Sequence, residues 1–490
     1  MLTRFKVNGF KNLLDVDIYF GPFTCIAGDN GIGKSNLFDA ITFLGSLGSK
    51  TFLEAAQGVR DEHGRTGDVR NLFHRIGERY QNRIDFLVEM IVPAEGQDDL
   101  GQKALATSTF LTYKLSIGYR EPEESSFLGP IELLNEELTY IPKGKISAHV
   151  LFPHDKQWSK GVTAGREGSH RSAPFLSTEN GKVSVHQDGG SRGRAITLNA
   201  SGLPRTVISS INAAEGPTIT LARQELRSWR LLQLEPSKMR SPDLFDDPKT
   251  IGADGSHLAA TLHRVALLKG QALAGNTYEE LTNKLAGLIE DVRTVSVDAD
   301  ERVRRYTLQV KQSDGTVLPA MALSDGTLRF LALAIYDLDP QATGVICLEE
   351  PENGIHPQRI EAILDLIKGI ALDPQEEPGF DNPLRQVIIN THSPAVVANI
   401  GEDDLVIAGM IETSDEQNSL WLRKPVFRCL EGTWRQTKGS MSTMPLGNLA
   451  PYMNFYSPTP KPSNDRKRKV VEREDVRQYL IDWGNTVEND

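Results

Sequence analysis

The eight residues Gly28-Asp29-Asn30-Gly31-Ile32-Gly33-Lys34-Ser35 fit the pattern G-x-x-x-x-G-K-[ST], with one additional glycine at position 31. They follow the apolar run Phe23 to Ala27. They lead through Asn36 into Leu37, Phe38, Ile41 and Leu44, apolar residues at helical spacing. A strand, a glycine turn and a helix in that order is the context that makes such a pattern a phosphate cradle. Glycines let successive backbone N–H groups converge on one anion, and a helix N-terminus adds positive potential. Gly28, Asn30, Gly31 and Gly33 belong to the loop, Asn36 leads the helix that follows, Lys34 supplies a point charge to the β/γ-phosphates, and Ser35 offers a hydroxyl to Mg²⁺. The bland alternative is a glycine-rich turn with no ligand. By itself the loop specifies a nucleoside triphosphate and nothing more.

Composition narrows the rest. The 490 residues include 54 basic and 65 acidic side chains, a formal net charge of −11. Such a chain is not a general polyanion binder, so any DNA contact needs a local basic patch. Its length allows roughly two to four domain-sized units. The longest apolar stretches, such as Phe330 to Tyr336, are far too short to cross a bilayer, and the opening residues carry no secretory h-region. Only three cysteines occur, and Cys25 and Cys347 lie in short apolar runs, which suits a reducing, cytoplasmic setting.

Three further segments bear on chemistry. Gly344-Val345-Ile346-Cys347-Leu348 reads as a buried strand delivering Glu349 and Glu350 at its C-terminal end. Glu349 can hold Mg²⁺ through water, and Glu350 can orient or deprotonate an attacking water. Adjacent strand residues point to opposite faces, so the two carboxylates do not share one role. Leu323-Ser324-Asp325-Gly326-Thr327 precedes a helical run, where Ser324 and Gly326 make either a second small anion site or an ordinary N-cap and turn. The strand Gln386 to Asn390 ends in Thr391-His392-Ser393-Pro394, which puts His392 where a phosphate sensor would lie.

In their order, these segments and the opening Phe10-Lys11-Asn12 resemble the ABC-type ATPases of the SMC, RecF and OLD group. They are most similar to compact AAA-type ATP-binding proteins of genome maintenance and phage defence. The resemblance covers about half the chain, roughly 1–120 and 300–400. It implies an α/β fold, a two-lobed ABC-ATPase head with a large mixed α+β insertion between the lobes. It further implies two heads enclosing two ATP molecules with Mg²⁺, each loop facing the partner's signature. Carried over, Lys34 and Ser35 bind phosphates and metal, Glu349 stands at the usual metal-holding Asp, Glu350 is the catalytic carboxylate and His392 the switch histidine. Ser324 and Gly326 reach the γ-phosphate of ATP on the other protomer. Two departures stand out. Glu349 is a methylene longer than Asp, and Asp325 replaces a commoner glycine, bringing negative charge near the partner's triphosphate. Gln81 is a candidate for the glutamine that such heads place near the nucleotide.

The expected segments are a first ATPase lobe (1–120), an insertion (121–300), a second lobe (301–412) and a C-terminal extension with a charged tail (413–490). Helices are expected over Ile251 to Lys269 and Tyr278 to Val292. No nuclease is expected: about 98 residues follow His392, without an Asp-x-Asp pair. Asp298-Ala299-Asp300 reads as a strand border. His154, His170 and His186 read as loop histidines without metal-ligand spacing. Arg192, Arg194 and Arg205, and Arg466-Lys467-Arg468-Lys469, are basic patches that could face DNA, although acids follow the tail cluster at once. The expected partners are a second copy, a separate effector and possible DNA, with no membrane. An ATPase switch in DNA surveillance or antiviral defence leads the functional readings. A RecF-like, DNA-stimulated repair ATPase is the alternative, and a transporter nucleotide-binding subunit fits least.

Overall fold

Alternation along Leu2–Asn8 puts Thr3, Phe5 and Val7 in a core and leaves Arg4 and Lys6 half-buried on the other face. That strand belongs to a computed structural model that describes residues 1–61, 64–65, 67–121, 129–163, 173–186, 188, 196–268, 274–286, 288–289, 291–415, 420–439, 441–445, 469–470 and 473–474. Its contacts resolve two interleaved units. One comprises Met1–Arg230, Pro374–Pro378 and Glu402–Pro445, the other Leu231–Asp373, Gly379–Gly401 and Leu446–Asp490. Residues 121–300 are therefore shared, dividing at Arg230.

The first unit is built on an antiparallel sheet of eight strands. Their order is Ile196–Asn199, Lys182–Val185, Leu176–Glu179, Ile131–Tyr140, Phe110–Tyr119, Arg83–Ile91, Leu2–Asn8 and Val16–Tyr19. Phe5, Phe10, Phe43 and Phe86 join this sheet to the helix Lys34–Ser46, with ring centroids 5.6 Å apart for Phe10–Phe43 and 6.1 Å for Phe43–Phe86. The strand Phe23–Ala27, buried throughout, pairs in parallel with Leu405–Asp415, which pairs antiparallel with Leu420–Arg428. A strand buried on both faces needs a continuous apolar run, which Phe-Thr-Cys-Ile-Ala nearly is.

In the second unit Gly344–Glu349 and Arg385–Thr391 run parallel, with Glu349 opposite Asn390. The helix Ile360–Ile370 buries one apolar face, whereas Asp325–Leu338 is buried all round from Phe330 to Tyr336. An antiparallel meander of Val292–Asp300, Arg305–Gln312 and Val317–Pro319 completes it. Two helix boundaries differ from expectation. The first helix starts at Leu258, because Gly255 and His257 at φ 83° and 65° hold a turn before it. The second spans Ala274–Ala286, and Val292 already opens a strand.

The chain is thus α/β with several sheets, as expected. Among the described residues, no helix is long and apolar enough to cross a membrane. His170, Arg192, Arg194, Arg466, Lys467 and Arg468 lie outside the described residues. Lys469 pairs with Glu361 at 2.6 Å.

Candidate functional site

The residues singled out fall in both units, and each unit's share has its own geometry. In the first unit the loop ends on Gly33, whose φ of 113° is open to glycine at no steric cost. A Cβ there would sit 2.7 Å from Asn12 Nδ2, and one on Gly28 would sit 2.8 Å from the Ala408 carbonyl oxygen. Glycine is thus required at 33 by conformation and at 28 by the close approach of the Ala408 backbone. The helix Lys34–Ser46 starts at Gly33, which has no side chain to cap its first-turn amides. Lys34 is 6% exposed and donates to the carbonyls of Gly28, at 2.6 Å, and Asp29, at 2.8 Å. Ser35, Asn30 and Gly31 are exposed.

Phe10-Lys11-Asn12 braces this loop. Asn12 donates to the Ile32 carbonyl at 3.3 Å and accepts from Asn36 Nδ2 at 2.8 Å. Lys11 and Arg60 both bind the buried carboxylate of Asp39, at 2.8 and 2.9 Å. His74 Nδ1 donates to the Lys11 carbonyl at 2.6 Å, and burial pushes its imidazole below the ordinary range. Gln81, the candidate glutamine, lies with its Oε1 against Gly9, where an added Cβ would be 3.2 Å away.

In the second unit the buried strand Gly344–Glu349 ends as expected in half-buried carboxylates. Glu350 lies just past the strand with φ 43°, a rare conformation for a residue with a side chain. Its N–H is held by both the backbone and the side-chain oxygen of Asn390, each at 3.1 Å. Its Oε1 lies 2.7 Å from His392 Nδ1, and its Oε2 accepts from Asn353 Nδ2 at 2.7 Å. Two parallel neighbours thus deliver an acid and an imidazole to one point, and local strain is overcome by four hydrogen bonds.

Ser324 is the N-cap of Asp325–Leu338, accepting from the Thr327 N–H at 3.2 Å. The ordinary capping role is met, and Gly326 packs toward the Gly354 carbonyl, 3.4 Å from an added Cβ. Asp325 is paired with Arg240, which also donates to the Leu323 carbonyl at 3.1 Å. The negative charge at the departure from glycine is therefore offset within its own unit.

The donor sets fit their expected ligands. A glycine turn at a helix N-terminus beside a lysine suits phosphate, and an exposed serine hydroxyl and a strand-end carboxylate are the types of oxygen ligand that a hard cation such as Mg²⁺ takes. Elsewhere the bland readings hold. Asp300 accepts from the N–H groups of Arg302 and Val303 in a hairpin turn. His154 bonds the Phe152 carbonyl at 2.8 Å, and His186 lies 3.1 Å from Ser177 Oγ. Sequence reasoning placed Asn12 in the opening motif but gave no role to it, nor to Asn353, Asn390 and Glu352. The available signal was polar residues at the ends of apolar strands, where only a turn or a site gives them partners.

Residues 190–398 match the family described as "AAA domain, putative AbiEii toxin, Type IV TA system", and residues 4–109 match an AAA-domain family. A DNA replication and repair protein RecF of Phocaeicola vulgatus is 36% identical over 63 residues, which is 13% of this chain and 17% of that protein's length. Among solved structures, an SmcHead bound to the C-winged helix domain of ScpA is similar over 88% of this chain and 98% of its own, at 15% identity and TM-score 0.46. An Smc head with an extended coiled coil, bound to the C-terminal domain of ScpA from Pyrococcus furiosus, covers 88% and 96%, at 14% identity and TM-score 0.43.

Proposed function

We propose that this chain, an SMC/RecF-like ABC-type ATPase by its family matches and ordered motifs, hydrolyses ATP and uses it to join two heads. The joined heads act as a cytoplasmic switch, controlling a separate effector in DNA surveillance or antiviral defence. The observation that carries the reading is the Glu350–His392 pair at 2.7 Å on adjoining strand ends, in a chain whose first helix opens on a phosphate-loop sequence.

In this reading the loop Gly28 to Gly33, with Asn30, Gly31 and Asn36, orients the triphosphate, and Lys34 binds its β/γ oxygens. Ser35 of the first unit and Glu349 of the second are the residues that would serve as oxygen ligands to Mg²⁺, and the ion would supply positive charge against the phosphates. Glu350 takes the proton of the attacking water, and His392 holds that carboxylate in place. Ser324 and Gly326 face the nucleotide of a second copy. A ligand that binds the joined state better shifts association by that difference alone. The toxin–antitoxin wording of the family matched over residues 190–398 supports the defence setting.

The test is ATP turnover with mass by light scattering. Glu350→Gln is expected to bind ATP, to lose about 100-fold or more in turnover, and to double in mass with ATP. A monomer at every nucleotide state with full turnover overturns the switch. The RecF match favours a second reading, a repair ATPase that acts on DNA directly. Strong stimulation by purified duplex DNA alone selects it. Silence until a co-purifying protein is supplied selects the switch.

A further inference from the structure

One buried acid beside this pair has no part in the chemistry above. Glu352 is 8% exposed, and its Oε1 accepts a hydrogen bond from Thr391 Oγ1. Its Oε2 is buried with no hydrogen-bond partner among the described residues. The Thr391 hydroxyl in turn accepts the Ser393 N–H at 2.9 Å. Both residues flanking His392 therefore meet at one hydroxyl, which the Glu352 carboxyl holds. Asn390, the next residue back, holds the Glu350 N–H. Burial raises the Glu352 carboxyl above its ordinary range, the Thr391 hydroxyl opposes this, and the negative charge of Glu350 adds to it.

Burying a carboxyl with one oxygen unsatisfied is costly, and an apolar pair of similar size would hold a turn more cheaply. What an apolar pair cannot do is fix direction: a hydroxyl bonded on two sides sets the rotation of the backbone at 391–393. We propose that Glu352 is a positioning residue, which acts through the Thr391 hydroxyl to keep His392 Nδ1 on Glu350 Oε1. The role rests on the ATPase reading for its effect on turnover, but not for its effect on the imidazole.

The test uses full-length protein carrying Glu352→Gln, Glu352→Ala, Thr391→Ser or Thr391→Val. Gln and Ser keep the hydrogen bond and are expected to retain at least about a third of wild-type kcat. Ala and Val lose it and are expected to lower kcat about 10- to 100-fold, the range seen when groups supporting a reactive residue are removed. ATP affinity should move less than about 3-fold in all four, and the Ala/Val double variant should be no worse than either single one. Histidine-labelled protein gives an independent readout: the Nδ1–H resonance of His392 is expected in wild type, Gln and Ser, and shifted or lost in Ala and Val. Full kcat in Glu352→Ala, or an unmoved resonance there, overturns the proposal. Equal loss in Gln and Ala also overturns it, since only packing would then be at stake. Wild-type protein without turnover, but with the resonance moving as described, would sink the ATPase reading and leave the positioning role standing.

Discussion

Glu350 Oε1 and His392 Nδ1 are 2.7 Å apart, and the second oxygen of the same carboxylate is taken by Asn353. A carboxylate held at both oxygens has one orientation, which a general base needs. Removing the imidazole frees one oxygen of that carboxylate. His392→Ala is expected to lower kcat about 100-fold while ATP affinity stays within a few-fold. Steady-state turnover beside nucleotide titration checks this, and an affinity loss larger than the turnover loss would place His392 in binding instead.

Lys34 carries the opposite signature. Its ammonium is buried and holds the carbonyls of Gly28 and Asp29, so it shapes the loop as well as supplying charge. Lys34→Ala is expected to weaken ATP binding about 100-fold or more, the cost of deleting one partner of a buried charged contact. A fluorescent-nucleotide titration measures it. Unchanged affinity would remove the site.

Glu136 predicts a pH dependence. It is wholly buried, accepts from the Tyr113 hydroxyl at 3.0 Å and from the N–H groups of Val207 and Ile208 at 2.7 and 2.9 Å, and burial pushes its carboxyl up to about 7. The folded unit therefore keeps a proton that the unfolded chain gives up near 4.5. Stability from this group is full below that pH and falls as pH rises toward about 7, by on the order of 3 kcal/mol. Thermal midpoints between pH 4.5 and 8 should show the decline. Glu136→Gln should flatten it, at a cost of about 1–3 kcal/mol because the amide turns a donor toward a backbone N–H.

Arg435 predicts a stability loss with no site involved. It has no solvent exposure, donates to the Tyr19 carbonyl at 3.0 Å and Thr24 Oγ1 at 2.9 Å, also reaches the Asp403 carbonyl, and stacks 4.2 Å from the Trp434 ring. Burial pulls its guanidinium down to about 10. Arg435→Met strands three acceptors and is expected to cost about 3 kcal/mol, read as a lower unfolding midpoint. A midpoint within a degree of wild type would mean those acceptors find other partners.

The amino-acid order by itself determined the chemistry at each strand end. The loop Gly28 to Ser35, the acids at 349 and 350 and the histidine at 392 were legible because a buried strand must be apolar, and whatever polar residue ends it stands out. Local periodicity also determined most of the strands and helices that carry them. Tertiary structure alone decided which of these residues serve one another. Glu350 meets His392, Asn390 and Asn353, Thr391 meets Glu352, Asp325 meets Arg240, and Asn12 meets Asn36, through separations of 3 to 85 residues in the chain. Periodicity constrains a residue's face, but a hydrogen bond is fixed by distance and angle, and these exist only once strands have paired in register.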